Sequence, residues 1–104
     1  MQIVWSDFAI NELNKVYRYY SENVGIKVAQ MITTEVINKV DQLVLHPNSG
    51  SIEPQLVALN QAHRFLMSGN IKIIYRIIES KLIITDVFDC RQNPTKIFRS
   101  KNIK

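Results

Sequence analysis

The stretch from Ala62 to Pro94, AHRFLMSGNIKIIYRIIESKLIITDVFDCRQNP, constrains the fold more than any other part of the chain. Three runs rich in β-branched and aromatic residues, Ala62–Met67, Ile71–Ile78 and Lys81–Cys90, follow one another almost without interruption. Between them stand only Ser68-Gly69-Asn70 and Glu79-Ser80, both short and made of turn-forming residues. Turn-bounded runs of this composition predict an antiparallel meander. Basic residues punctuate it at Arg64, Lys72, Arg76 and Arg91, so whatever packs around the sheet must also deal with that charge.

The remainder of the chain supplies the cover. Gln2–Trp5 reads as a short first strand, and Ser6 is a good helix N-cap with Asp7 in the first turn. Ala9, Leu13, Val16, Tyr17, Tyr20 and Val24 then recur at helical spacing, with Asn11, Glu12, Lys15, Arg18 and Glu22 on the other side. The first helix is expected to stop near Asn23, with Gly25 just past its end. A second helix is expected from Ile26 to His46, with Val28, Ile32, Val36, Val40 and Leu43 as its apolar stripe and Pro47 as its stop. Together they form an antiparallel helical hairpin whose two apolar faces need a sheet. Residues 47–61 carry Pro47, Gly50 and Pro54 and are expected to be irregular, with Leu56, Val57 and Leu59 packing down on the core.

At 104 residues this is one domain, 1–104, with an ordinary hydrophobic fraction of 46% and charged fraction of 21%. A single cysteine, Cys90, excludes an intrachain disulfide framework and suits a reducing compartment. Met1–Trp5 has no basic start and no long apolar core, and no apolar run approaches the roughly 20 residues that cross a bilayer. The expected location is the cytoplasm, with no membrane partner. The net charge of +4 conceals an asymmetry. Residues 1–61 carry four basic and six acidic side chains, whereas residues 62–104 carry nine basic and three acidic. A basic sheet half and tail attract polyanions or an acidic protein, or simply form a solvated basic face.

Strand geometry turns the meander into an arrangement. With Ser68-Gly69-Asn70 as a three-residue loop, Met67 pairs with Ile71, Leu66 with Lys72 and Arg64 with Ile74. With Glu79-Ser80 as a two-residue turn, Ile78 pairs with Lys81 and Arg76 with Ile83. Alternation then puts Arg64, Lys72, Arg76, Thr85, Asp89 and Arg91 on one face. His63, Phe65, Ile73, Tyr75, Ile77, Leu82, Ile84, Asp86 and Phe88 fall on the helix-facing side. Basic residues held together this way suit a phosphate or an acidic peptide; as structural ion pairs, Arg64 and Arg76 would instead find Asp86, Asp89 or Glu79. No nucleophilic triad, histidine pair at metal spacing, CxxC or phosphate-binding glycine loop is present. No metal or cofactor is expected, and Cys90 reads as a small buried hydrophobe at a strand end. Catalysis by this chain would rest on basic groups, with His63 and Tyr75 as acid–base helpers. Metal-free phosphodiester cleavage through a 2′-hydroxyl needs only such groups. Tyr17, Tyr19 and Tyr20 offer a stacking platform on paper, but two of them lie on the apolar stripe and are expected in the core.

Taken together, the strand entering Trp5-Ser6, the hairpin with Ala9 and Leu13, HRF at 63–65, Gly69-Asn70 before KIIYRI at 72–77, and VFDCRQNP at 87–94 resemble the RelE/ParE superfamily of bacterial type II toxin–antitoxin toxins. The resemblance spans nearly the whole chain. It implies an α+β fold of βααβββ order, an N-terminal strand and a two-helix hairpin packed on a twisted antiparallel sheet. It implies a cognate antitoxin as partner and growth arrest as the outcome. In the RelE-like branch it implies metal-free cleavage of mRNA on the ribosome, with Arg64, Lys72 and Arg91 at the matching basic positions. Antitoxin or nucleic acid would be bound through Arg64, Lys72, Arg76, Arg91, Lys96 and Arg99. In the ParE-like branch it implies non-enzymatic inhibition of DNA gyrase; a toxin-like protein that only binds its antitoxin is the third case. The RelE-like branch often places a Tyr or His near the C-terminus, and none follows Arg91 here. The Arg-Phe before the Gly-Asn turn is more ParE-like.

Overall fold

The computed structural model of the chain describes residues 1–91. The order is β1 (Gln2–Trp5), α1 (Asp7–Asn23), α2 (Ile26–Gln42), β2 (Ser51–Ile52), a 3₁₀ segment (Pro54–Leu59), β3 (Arg64–Ser68), β4 (Ile71–Ile78) and β5 (Lys81–Asp89). α1 begins as its sequence dictates: the Ser6 hydroxyl accepts the Ala9 amide at 3.0 Å, with Asp7 in the first turn. It ends with the Val24 and Gly25 amides both donating to the Tyr20 carbonyl. α2 stops at Gln42, one turn short of the expected His46. Beyond it the Leu43, Val44 and Leu45 amides reach carbonyls only two or three residues back, a tightening that lets Leu43 turn into the core and the chain approach Pro47.

The five strands lie in the order β1-β5-β4-β3-β2. β3, β4 and β5 form the expected antiparallel meander. β1 runs parallel to β5, so the sheet is mixed, and the short β2 adds an edge beside β3. The helical hairpin spans between β1 and the meander and covers one face. Ala9, Val16 and Tyr20 of α1 and Ala29, Val36 and Val40 of α2 are buried there against Ile73, Tyr75, Leu82, Ile84 and Val87. Glu12, expected on the solvent side, is 4% exposed and pairs with Lys15 at 2.9 Å. Position 12 sits at the margin of the Ala9–Val16 stripe, where the helix surface already curves under the core. The opposite face of the sheet has its own small core of Phe65, Ile74 and Phe88, closed by Leu56 of the 3₁₀ segment. Only Leu56 of the three apolar residues expected to pack down does so; Val57 and Leu59 point outward.

Two local details set which side chain goes to which face. The β3–β4 turn has two residues, not three: Ser68 pairs with Ile71, and Gly69 takes φ +58 in the connection. Arg64 therefore stands opposite Tyr75, and Met67 opposite Lys72. In β5 an extra residue, Thr85, stands between the Ile74–Asp86 and Tyr75–Ile84 pairs. That bulge reverses the alternation, so Val87 joins the helix face while Asp86 and Phe88 join the outer one.

Of the three glycines, Gly50 has the least room. A Cβ there would meet the Tyr75 hydroxyl at 2.6 Å and the Phe65 carbonyl at 2.7 Å, the second being backbone that cannot step aside. A Cβ on Gly69 would meet nothing within 4 Å and suffers only from the positive φ. Gly50→Ala is expected to cost about 3 kcal/mol and Gly69→Ala about 1 kcal/mol in urea denaturation. Equal losses would mean that the contact around Tyr75 yields without strain.

Candidate functional site

Arg64, Lys72, Arg76 and Arg91 occupy three separate places, each set by the register just given. Arg64 lies on the helix-facing side of β3, where its Nη1 donates to the Gly50 carbonyl at 2.7 Å and to the Asn48 carbonyl at 3.3 Å. Beside it the fully buried Tyr75 accepts the Gly50 amide at 3.0 Å and donates its own hydroxyl hydrogen to the Pro47 carbonyl at 2.8 Å. Arg64 and Tyr75 together clamp residues 47–50, supplying partners to backbone groups that no regular element satisfies. Burial pushes the Tyr75 pKa above its ordinary value of 10.0, against the Gly50 amide and the Arg64 charge, which pull it down.

Lys72 emerges on the outer face of β4. Its Nζ lies 2.5 Å from Oε1 of Glu53, whose side chain is fully buried, and 4.3 Å from the centroid of the Phe65 ring. The other Glu53 oxygen accepts the Gln55 amide at 3.0 Å and so caps the 3₁₀ segment. Arg76 stands two alternations further along the same face, half-buried, with its Nε buried and without a hydrogen-bond partner.

Arg91 closes the end of β5. Its Nε and Nη2 donate to the two oxygens of Asp89 at 3.1 and 2.8 Å, and its backbone amide donates to the same carboxylate at 2.9 Å. Tyr20 of α1 donates to Asp89 at 2.6 Å, and Arg91 Nη2 also donates to the Tyr20 oxygen. Asp89 is 4% exposed, and this knot ties the helical hairpin to the last strand.

The shared basic face expected for Arg64, Lys72, Arg76 and Arg91 does not form. A turn one residue shorter than expected sends Arg64 to the helix side, and the Thr85 bulge sends Asp89 there as well. Of these four, Lys72 and Arg76 share the outer face. Lys96 and Arg99 lie outside the described residues. Tyr75 sits on the helix side as expected, but Phe65, Asp86 and Phe88 do not. His63 is buried at the foot of β3, where its carbonyl accepts the Glu53 amide at 2.8 Å. Cys90 is exposed; what desolvation it has raises its thiol pKa, Lys72 opposes this, and Asp89 and Glu53 add to it, which keeps the thiolate scarce. Among the described residues, no three or more His, Cys, Asp or Glu side chains are placed to hold a metal, and no helix is long and apolar enough to cross a membrane.

Sequence reasoning missed Glu53 and Tyr20 as partners of the basic residues, and offered Asp89 to Arg64 and Arg76 where the structure pairs it with Arg91. Glu53 before Pro54 is an N-cap signal, but nothing local says that its second oxygen meets a lysine nineteen positions on. For Asp89 the two-residue spacing to Arg91 was the available sign.

A chain of one strand, a helical hairpin and a C-terminal antiparallel meander edged by the short β2, with the hairpin against one face of the sheet, has the architecture of the RelE/ParE superfamily toxins. The family model described as the ParE toxin of the type II toxin–antitoxin system, parDE, matches residues 3–94, and the chain belongs to that family. A solved structure, the chromosomal ParDE toxin–antitoxin system from P. aeruginosa, superposes with a TM-score of 0.72 at 20% identity. The match covers 86% of this chain and 95% of that one, and at that identity it establishes the fold. No curated protein matches the sequence.

Two outcomes follow from the geometry. Lys72→Met strands the Glu53 carboxylate in a buried place and is expected to cost about 3–5 kcal/mol in urea denaturation, with most of it regained in Glu53→Gln/Lys72→Met. A double variant as unstable as the single one would show that Lys72 contributes through packing instead. For Tyr75, a folded-state pKa above the unfolded value means that the unfolded chain releases the proton first. The stability it lends is complete below pH 10.0 and drains away as pH rises through the folded-state value. Comparing denaturation midpoints at pH 8 and well above 10.0, the wild-type loss should exceed that of Tyr75→Phe; equal losses would place the alkaline sensitivity elsewhere.

Proposed function

We propose that this toxin of a type II toxin–antitoxin module arrests growth by binding a protein target, DNA gyrase, and not by cutting mRNA on the ribosome. The observation that carries the reading is where the basic groups are spent. Stabilising a phosphoryl transition state needs cations aimed together at one point where a phosphate can sit. Arg64 instead donates to the Gly50 and Asn48 carbonyls, Lys72 pairs with Glu53, and Arg91 is bidentate on Asp89. The three groups that a ribonuclease of this superfamily would use are thus each paired with other groups of the protein and stand on two faces of the sheet, Arg91 at its exposed end. The absence of a Tyr or His after Arg91 in the sequence points the same way. The second partner is a cognate antitoxin, which the family membership supplies.

Induced expression with translation and supercoiling read separately tests the proposal. The expected outcome is relaxed plasmid DNA and inhibited gyrase supercoiling by purified protein, while ribosome-bound mRNA stays intact. Arg64→Ala and Lys72→Ala should lose toxicity only in proportion to the folded fraction measured by circular dichroism. Cleaved mRNA, abolished by Arg64→Ala in a fully folded variant, would overturn the reading and restore the catalytic one.

A further inference from the structure

The outer sheet face carries a second feature that neither the toxin fold nor its target requires. Residues 53–62 cross this face as a strap, and the strap touches the sheet chiefly through two side chains. Glu53 sets its carboxylate on Lys72, and Leu56 fills the hollow between Phe65, Ile74 and Phe88. Val57 and Leu59, 59% and 40% exposed, turn away. The exit from the strap is strained: Asn60 and Ala62 both take left-handed backbone, with φ of 53 and 55, and neither is glycine. Asn commonly takes that conformation at a helix end, but Ala62 has no polar side chain to ease it, so the exit carries backbone strain. The strap's own bonding is of the weaker 3₁₀ kind, from Leu56 N to the Glu53 carbonyl at 3.2 Å and from Asn60 N to the Val57 carbonyl at 2.9 Å.

We propose that the strap is an internal stand-in for a partner: Glu53-Pro54-Gln55-Leu56 occupies a docking site for a protein segment with an acidic residue three positions before a leucine. Lifting the strap leaves a patch of Phe65, Ile74 and Phe88 flanked by Lys72 and Arg76, against which stands Asp86 on the same face, already accepting the Val87 amide at 2.8 Å. Two cations around an apolar hollow match an acidic, leucine-bearing strand or turn, as the strap itself demonstrates by occupying it. The Arg76 Nε, buried and without a hydrogen-bond partner under the present cover, is a donor that a longer acidic segment would satisfy. The partner binds only the fraction of molecules whose strap is open, so the strap sets its apparent affinity. The inference does not depend on whether the toxin acts on gyrase or on mRNA.

Hydrogen exchange on the wild-type full-length protein tests the opening. The Leu56 and Asn60 amides should exchange together, roughly a hundredfold faster than those of Ile73 to Ile77. Exchange in step with the sheet would show that the strap opens only on global unfolding and would overturn the proposal. Docking is tested with a synthetic peptide of residues 51–60 as the probe, titrated against wild type and against Glu53→Gln/Leu56→Ala, whose fold is checked by circular dichroism. The strap variant should bind about tenfold tighter than wild type, and Lys72→Met added to it should remove that gain. Equal affinity in wild type and strap variant, or binding indifferent to Lys72, would sink the idea. If the strap variant does not fold, Glu53→Gln alone, which keeps Leu56, is titrated in its place and must still bind tighter than wild type.

Discussion

The two-residue connection between β3 and β4 decides most of what this molecule can do. A side-chain alternation of two means that one residue more or less in a turn exchanges the faces of an entire strand. With Ser68 opposite Ile71, Arg64 is delivered to the helix side beside Tyr75, and Lys72 is left on the outer side beside Phe65. The bulge at Thr85 makes a second such exchange along β5 and brings Asp89 under α1, where Tyr20 can reach it. Two single-residue events thus convert what alternation alone would make a continuous basic face into three separate structural attachments.

Those attachments share a physical pattern. Each basic group is matched to a polar atom that would otherwise be buried at a cost: the Gly50 carbonyl, the Glu53 carboxylate, the Asp89 carboxylate. The chain has little regular structure between Gln42 and Arg64, and arginine, lysine and tyrosine from the sheet do for that segment what strand pairing does elsewhere. Arg64 and Lys72 are in this sense accounted for by the long irregular connection that they hold in place.

Legibility in the sequence followed the length of the pattern. α1 was readable to its ends because Ser6, Asp7 and a full apolar stripe all agree, and the meander was readable because turn residues bracket each run. The βααβββ order and the superfamily resemblance came from the same long-range agreement. What was not readable depended on single residues. The choice between a two- and a three-residue loop at Ser68-Gly69-Asn70 leaves no trace in composition, and Thr85 looks like any strand residue. The parallel pairing of β1 with β5 and the short β2 are tertiary facts, fixed by where the helical hairpin and the 3₁₀ segment deliver the chain. The site assignments inherited every one of those uncertainties, because a face is a product of all the registers before it.

The charge asymmetry takes on a different meaning once the internal partners are subtracted. Residues 62–91 hold five basic and three acidic side chains, and of the five, Arg64, Lys72 and Arg91 are committed to partners within the protein. The sequence beyond Arg91 contributes Lys96, Arg99, Lys101 and Lys104 with no acidic residue. The larger share of the basic excess therefore belongs to the last thirteen residues and not to the sheet. Long-range attraction for an acidic partner and short-range fit on the meander are then separate properties of the chain. The first is a matter of net charge and is screened by salt. The second rests on a hollow formed by Phe65, Ile74 and Phe88 beside Lys72, which salt affects far less, because there the apolar contact does most of the work.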